Sequence, residues 1–168
     1  RQGGEEATRV EYHTPKGVVA TEEVINAEMR NAGVSITWIK EHAIRRPEDY
    51  AIWAYIFENI TVTPDYERYR AWQQGVGEDG VAVMMGTFSA SPVHHIQRDF
   101  LNATEFFLHY NDHREQLHRL ADAIGLVYDQ ILKVVADSPA EAVLWGANYD
   151  EMITYPPYFK KELSPWLR

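Results

Sequence analysis

The chain has 168 residues, 45% hydrophobic and 12% aromatic, and a formal charge of −9 from 25 acidic and 16 basic side chains. That length suits one domain with a real core, and that composition excludes a disordered chain. The absence of cysteine excludes disulfides, thiolate metal sites and a cysteine nucleophile within these residues. The acidic balance argues against nucleic-acid binding, which needs Lys and Arg to neutralise phosphates. Apolar runs such as Val81–Met85 are too short for a membrane span, and no signal-peptide pattern is visible. A cytoplasmic protein is the default expectation.

Arg1 to Ala7 is polar and Gly-rich and lacks a start methionine, so the chain reads as a piece of something longer. Thr8–Tyr12 and Gly17–Thr21 are rich in β-branched residues and flank His13-Thr14-Pro15-Lys16, which predicts a β-hairpin. Val34, Ile36 and Trp38 alternate with Ser35 and Thr37, which predicts a third, half-buried strand over Val34–Ile39. Pro47, followed by Glu48 and Asp49, suits a helix start, with Ile52, Trp53, Ile56, Phe57 and Ile60 at helical spacing behind it. Thr63 as cap, Pro64 as first residue and Gly75 or Gly77 as stop predict a second helix striped by Tyr66, Tyr69 and Trp72. The aromatic run from Tyr50 to Trp72 keeps helical period and lacks basic clusters, so it reads as core rather than a stacking platform.

Val81–Met85, between Gly80 and Gly86, reads as a strand buried on both faces. A small-residue loop leads to Pro92, and the helix that starts there is expected to run on through Phe100, Ala103, Phe106, Phe107 and Tyr110. Asp112, with Glu115 behind it, is expected to cap a long helix striped by Leu117, Leu120, Ala121, Ile124, Val127, Ile131, Leu132 and Val135. Ala142–Trp145 reads as a second buried strand, Gly146–Thr154 as a polar loop, and Pro156 or Pro157 as the start of a short helix to Trp166. Short apolar strands separated by helices predict parallel pairing in an α/β fold. Two such strands and a hairpin are too few for a complete open sheet or barrel, so the fold is expected to be incomplete.

Several segments in series resemble the uroporphyrinogen decarboxylase family, which holds both decarboxylases and corrinoid-linked methyltransferases. Thr14-Pro15-Lys16-Gly17 resembles its hairpin. The run from Glu41 to Tyr50 resembles its Glu-His-Pro-Ile lead into a helix, with Ala43 in place of the proline. Gly86 after an apolar strand, Trp145 to Ile153, Pro156-Pro157-Tyr158-Phe159 and Leu163-Ser164-Pro165-Trp166 complete the likeness. The resemblance implies a partial (β/α)8 TIM-type barrel with an N-terminal β-hairpin, 1–168 being a single, incomplete domain. It also implies that reactive groups sit on the loops after the strands.

The first such loop, Gly86–His95, holds Ser89, Ser91, His94 and His95. Decarboxylases of the family carry a cleft tyrosine near the position of His94 or His95. A histidine there can be a general acid or a metal ligand, although paired histidines at a helix start are more often solvated or capping groups. The second loop holds Asn148, Asp150 and Glu151. In decarboxylases a serine near Ala147 and Asn148 binds a substrate carboxylate. Here Asn148 can still donate a hydrogen bond, while Asp150 and Glu151 repel an anion or cap the next helix. His94, His95 and Asp150 are thus the catalytic candidates, and Ser89, Ser91, Asn148 and Glu151 the substrate-binding ones. The two loops are expected to converge on one cleft.

No metal ligand set is evident. His109 and His113 are four apart, but Asn111-Asp112 reads as a break between them, and His13, His42 and His118 read as surface groups. The arginine-bearing decarboxylase segment is unmatched, because Glu5-Glu6 follow Arg1-Gln2-Gly3-Gly4, and the two loops hold no Lys or Arg before Arg98. The expected function is therefore a corrinoid-linked methyltransferase acting on a small methylated substrate. It would use zinc held by residues outside this chain, with a small molecule or a corrinoid protein as partner and a homodimer compatible. The alternatives are a uroporphyrinogen decarboxylase, needing no cofactor, and a non-catalytic α/β binding module.

Overall fold

The computed structural model describes residues 6–87, 89–146 and 152–167. β1 (Glu6–Thr14) and β2 (Gly17–Ile25) form the predicted antiparallel hairpin, longer at both ends than the sequence implied. Its turn is held by Thr14, whose Oγ1 donates to the Gly17 carbonyl at 2.9 Å and accepts the Lys16 N–H at 3.1 Å. Gly17 has φ 137°, which a side chain rarely adopts, and a Cβ there would stand 2.9 Å from Ile52 Cδ1. Val19, Ala20 and Val24 of β2 are buried, while β1 is exposed up to Thr14, although the Tyr12 ring meets Trp53.

The third strand is displaced from its expected place. β3 is Trp38–Glu41 and pairs antiparallel with β2. A short helix, α1 (Ala27–Asn31), ends at Ala32-Gly33, and the Val34 N–H bonds back to Met29 O at 2.9 Å. That bond takes Val34 out of strand pairing, and Val34, Ile36 and Trp38 are exposed rather than half-buried.

α2 (Asp49–Glu58) buries Tyr50, Ile52, Trp53 and Ala54. The Asp49 carboxylate accepts the backbone N–H groups of Arg45 and Arg46, which satisfies two donors in the turn that leads into the helix. α3 (Tyr66–Val76) is capped by Asp65, not Thr63, because Asp65 Oδ1 reaches the Arg68 N–H at 3.2 Å. It ends at Gly77, one of the two expected stops. Within the aromatic run Tyr50, Trp53 and Tyr69 are core, but Trp72 is exposed.

β4 (Val83–Met85) and β5 (Ala142–Leu144) pair in parallel, Val83 opposite Ala142 and Met85 opposite Leu144, as expected. Both are shorter than read from sequence, and they are not buried on both faces. Val83, Met85, Val143 and Leu144 are exposed, because among the described residues the parallel sheet has only these two strands.

The helix from Pro92 does not run on. α4 (Pro92–His95) passes into a π-helical turn, Ile96–Phe100, and Leu101 then turns extended. Asn102 caps a new helix, α5 (Ala103–Asp112), by accepting the Glu105 N–H. Asp112 therefore closes α5 instead of opening the next helix, and His113 stands at the start of α6 (Arg114–Ala136) without a side-chain cap bond. α6 packs along α2 and buries Leu117, Leu120, Ala121, Ile124 and Val127. Ile131 and Val135 are only half-buried and Leu132 is exposed, since the last turns run past the core. The closing helix starts at Pro156 as α7 (Pro156–Tyr158), then continues as a π-helical turn, Phe159–Leu163, and a 3-10 turn, Ser164–Leu167.

The chain is thus mixed α/β, with helices packed around one apolar cluster and the two small sheets at its margins. No helix among the described residues is long and apolar enough to cross a membrane.

Candidate functional site

The backbone after β4 is drawn along β5 by one further bond, from the Gly86 N–H to Leu144 O at 2.9 Å. The following loop turns inward, and Thr87, Ser89, Ala90 and Ser91 are all buried. Ser91 is the N-cap of α4: its Oγ accepts the His94 N–H at 3.1 Å. The imidazole of His94 folds back over the same turn, and its Nδ1 accepts the Ala90 N–H at 3.2 Å. His94 is therefore held at both its backbone and its ring.

His94 faces a cavity of about 500 Å³. Thr37, Trp38 and Ile39 form one wall with His42 beside them. Gln97, Arg98, Leu101, Asn102 and Ala103 form another, and Ile153 and Thr154 close it from the end of the second loop. The size lies in the range of small-molecule sites, which are mostly apolar with a few fixed polar groups. Three bonds bring the walls together. The Ile44 N–H donates to Phe100 O at 3.1 Å, which ties the His42 segment to the π-helical turn. Gln97 Nε2 donates to Ile153 O, and the Tyr158 hydroxyl donates to Gln97 Oε1, both at 3.1 Å. The π turn gives this segment its shape, and such turns recur at functional sites.

The two histidines of the His-His pair part company. His95 points away from the cavity and into an aromatic nest of Phe57, Phe100 and Tyr128. Its Nε2 lies 3.4 Å from Asp99 Oδ2 and its Nδ1 3.4 Å from the Tyr128 hydroxyl, so it ties the α4 segment to α6. Ser89 and Ser91 are structural at their present positions. Ser91 is the cap, and Ser89 lends its carbonyl to Thr87 Oγ1 while its own Oγ is buried without a well-formed hydrogen bond. Burial pushes the Tyr128 hydroxyl up to about 12, opposed by Ser89 and Thr87 beside it. Asn148, Asp150 and Glu151 lie outside the described residues.

His42 was misread as a surface group. It follows β3, lines the cavity, and has its Nδ1 sealed from water without a hydrogen-bond partner. Nothing local marked it, because the residues that share its cavity, Leu101 and Ala103 among them, lie far along the chain. Gln97 and Arg98 were also missed as site residues. Gln97 stands three residues after His94 on a helical turn, and that spacing was a usable signal. His118 lies beside Glu162, its side chain 39% exposed, and His109 and His113 touch ring to ring at 4.9 Å across the helix break. Among the described residues, no group of three His, Asp or Glu side chains is placed to hold a metal ion.

Among the described residues that line the cavity, the charge is largely balanced. Burial holds His94 down to about 4, with Arg98 and His95 adding to the effect and Asp99 opposing it. Burial also lowers His42, against Glu105 and Asp99. Arg98 is gripped by Asp99 through Nε at 2.9 Å and a terminal nitrogen at 2.7 Å, so its charge is largely answered in place.

The low His94 value has a consequence for stability. An unfolded histidine takes a proton near pH 6.5, whereas folded His94 refuses it until about pH 4. Between those values the unfolded state binds more protons, so stability falls as pH drops through this window and this group adds nothing further below it. Denaturant midpoints measured from pH 7.5 to 4 should therefore fall less steeply for His94→Phe than for the parent. Parallel curves would mean that the ring protonates freely. No known protein family, curated protein or solved structure matches the chain.

Proposed function

We propose that this chain is part of a uroporphyrinogen decarboxylase-like enzyme, contributes to a (β/α)8 barrel, and uses the His42 and His94 cavity as its small-molecule site. The observation that carries this reading is the parallel pair β4 and β5, after which one loop delivers His94 and the other delivers Ile153 and Thr154 to the same cavity. Substrate sites beyond the C-terminal ends of parallel strands are the rule in such barrels. The exposed apolar residues of β4 and β5 fit strands that pair further within a larger sheet.

The chemistry of the cavity favours methyl transfer over decarboxylation of a polycarboxylate. Several uncompensated arginines are needed to hold many carboxylates. Among the described lining residues only Arg98 is cationic, and Asp99 already holds it. Neutral imidazoles and apolar walls suit a small, largely uncharged methylated compound. Ile39 and Leu101 would supply apolar contact to it, and His94 would orient it. A corrinoid would take up the methyl group, and zinc, where used, would activate the reacting partner as a Lewis acid. Among the described residues no group of three His, Asp or Glu side chains is placed to hold zinc.

The test is an assay of the full-length gene product with a reduced corrinoid and a panel of small methylated compounds, followed by corrinoid absorbance. Carbon dioxide release from uroporphyrinogen is measured in parallel. Corrinoid methylation that drops at least about tenfold in His94→Phe is the expected result. Carbon dioxide release without methylation transfers the site to the decarboxylase, and neither activity removes both.

A further inference from the structure

We propose that His109 and His113 form an open site for one divalent transition-metal ion of the kind that binds imidazole, such as nickel, copper or zinc, which fastens the end of α5 to the start of α6. The site stands apart from the cavity and shares none of its described lining residues. It is therefore independent of the methyl-transfer reading and of any zinc used there.

The first support is the backbone. In the sequence Asn111-Asp112 reads as a break that puts the two rings out of line. In the fold the helix holds as far as Asp112, and the His113 N–H still bonds to His109 O at 2.7 Å. Only His113 itself leaves helical geometry, with φ −126° and ψ 36°. The i, i+4 relation therefore survives, and the two side chains are neighbours on one face.

The second support is the distance between the rings. A metal ion bound about 2.05 Å from one nitrogen of an imidazole stands about 3.2 Å from the centre of that ring. Two such ligands meeting at about 90–109° around the ion have ring centres about 4.5–5.2 Å apart. The centroids of His109 and His113 are 4.9 Å apart, and their planes are inclined at 72° rather than stacked.

The third support is which nitrogens are open. His109 Nδ1 lies 3.1 Å from the hydroxyl of Tyr50, a buried residue of α2. With Nδ1–H donating to that oxygen, Nε2 is bare for a metal, and a fixed partner of this kind orients ligating histidines. Among the described residues the His109 ring makes no other hydrogen bond and the His113 ring makes none. Unlike His42 Nδ1 and His118 Nε2, their remaining nitrogens are not sealed from water. Glu105 and Asp112 act electrostatically on His109 and favour a cation there, while Arg114, next to His113, lies over the Tyr110 ring. Among the described residues no third His, Asp or Glu completes the ligand set, so water fills the other positions. Imidazole selects nickel, copper and zinc over calcium and magnesium, which take oxygen ligands.

The test is nickel binding by the full-length gene product, made without a histidine tag, followed by calorimetry and by the histidine ring signals in NMR. His113→Asn keeps a good capping residue at the start of α6, and His109→Gln keeps a helix-compatible side chain able to bond Tyr50. The parent should take up one more nickel ion per chain than either variant, or hold it at least about tenfold more tightly, since two imidazoles fixed on one helix act together. Nickel should also raise the melting temperature of the parent more than that of His113→Asn. In the parent the paramagnetic ion should broaden His109 and His113 first. Equal stoichiometry and affinity in the parent and both variants overturns the proposal. So does the absence of uptake by the parent at millimolar nickel. Broadening that begins at His13 or His118 instead overturns it without any variant.

Discussion

Replacing Ile124 with Asp should cost about 3 kcal/mol or more and lower the melting temperature by on the order of 10 °C. Ile124 is fully buried near the middle of α6 and belongs to the apolar cluster shared with α2 and α5. A carboxylate there loses its water inside a cluster of apolar side chains that includes Leu120, Phe106 and Ile52, none of which can pair with it. The control is two residues away on the same helix. Leu126 is 55% exposed, so Leu126→Asp should change stability by no more than about 0.5 kcal/mol. Both are read from denaturant midpoints. An Ile124→Asp variant that unfolds at the parent's midpoint would show that α6 does not bury this face.

Gly86→Ala should cost about 1–3 kcal/mol through a single added methyl group. Gly86 ends the β4 segment, and the indole of Trp145, just past β5, lies against its Cα. A Cβ would overlap Trp145 Cε3 well inside van der Waals contact and stand 2.8 Å from Cζ3. The indole is rigid and leans edge-on against Tyr128, so it cannot yield without giving up that contact. The loss is one of space, not backbone conformation, because Gly86 is not among the glycines with positive φ. The double variant with Trp145→Leu should recover part of the loss. Additive costs in that cycle would place Trp145 away from Gly86.

Local chemistry was enough for the elements whose signal lies within a few residues. The Thr14-Pro15-Lys16-Gly17 turn needs only a bond within itself and a glycine at positive φ, so the hairpin was legible. The α6 stripe repeats over many turns, and a long periodic pattern survives small errors of phase. The parallel pairing of β4 with β5 followed from two short apolar runs separated by helices. Caps were less legible. Thr63 and Asp65 both make good caps, as do Asp112 and Asn102 at a helix start, and the choice between them depends on where each helix must lie to pack.

The candidate site needed the tertiary structure. His94 and His95 are identical in composition and adjacent in sequence, yet one lines the cavity and the other fills an aromatic nest. The difference is a rotation of about 100° per residue around a short helix, which only the packing of α4 on α6 converts into inside and outside. His42 lines the cavity together with Leu101 and Ala103, some sixty positions on, and Gln97 is held there by Ile153 and Tyr158. The exposure of β4 and β5 was equally beyond the sequence, because an apolar run records the burial a strand is suited to and not the neighbours it has. Sequence alone determined which groups could do chemistry here. Their protonation, their partners and their arrangement around one cavity were decided by contacts between residues far apart in the chain, for which local periodicity carries no signal.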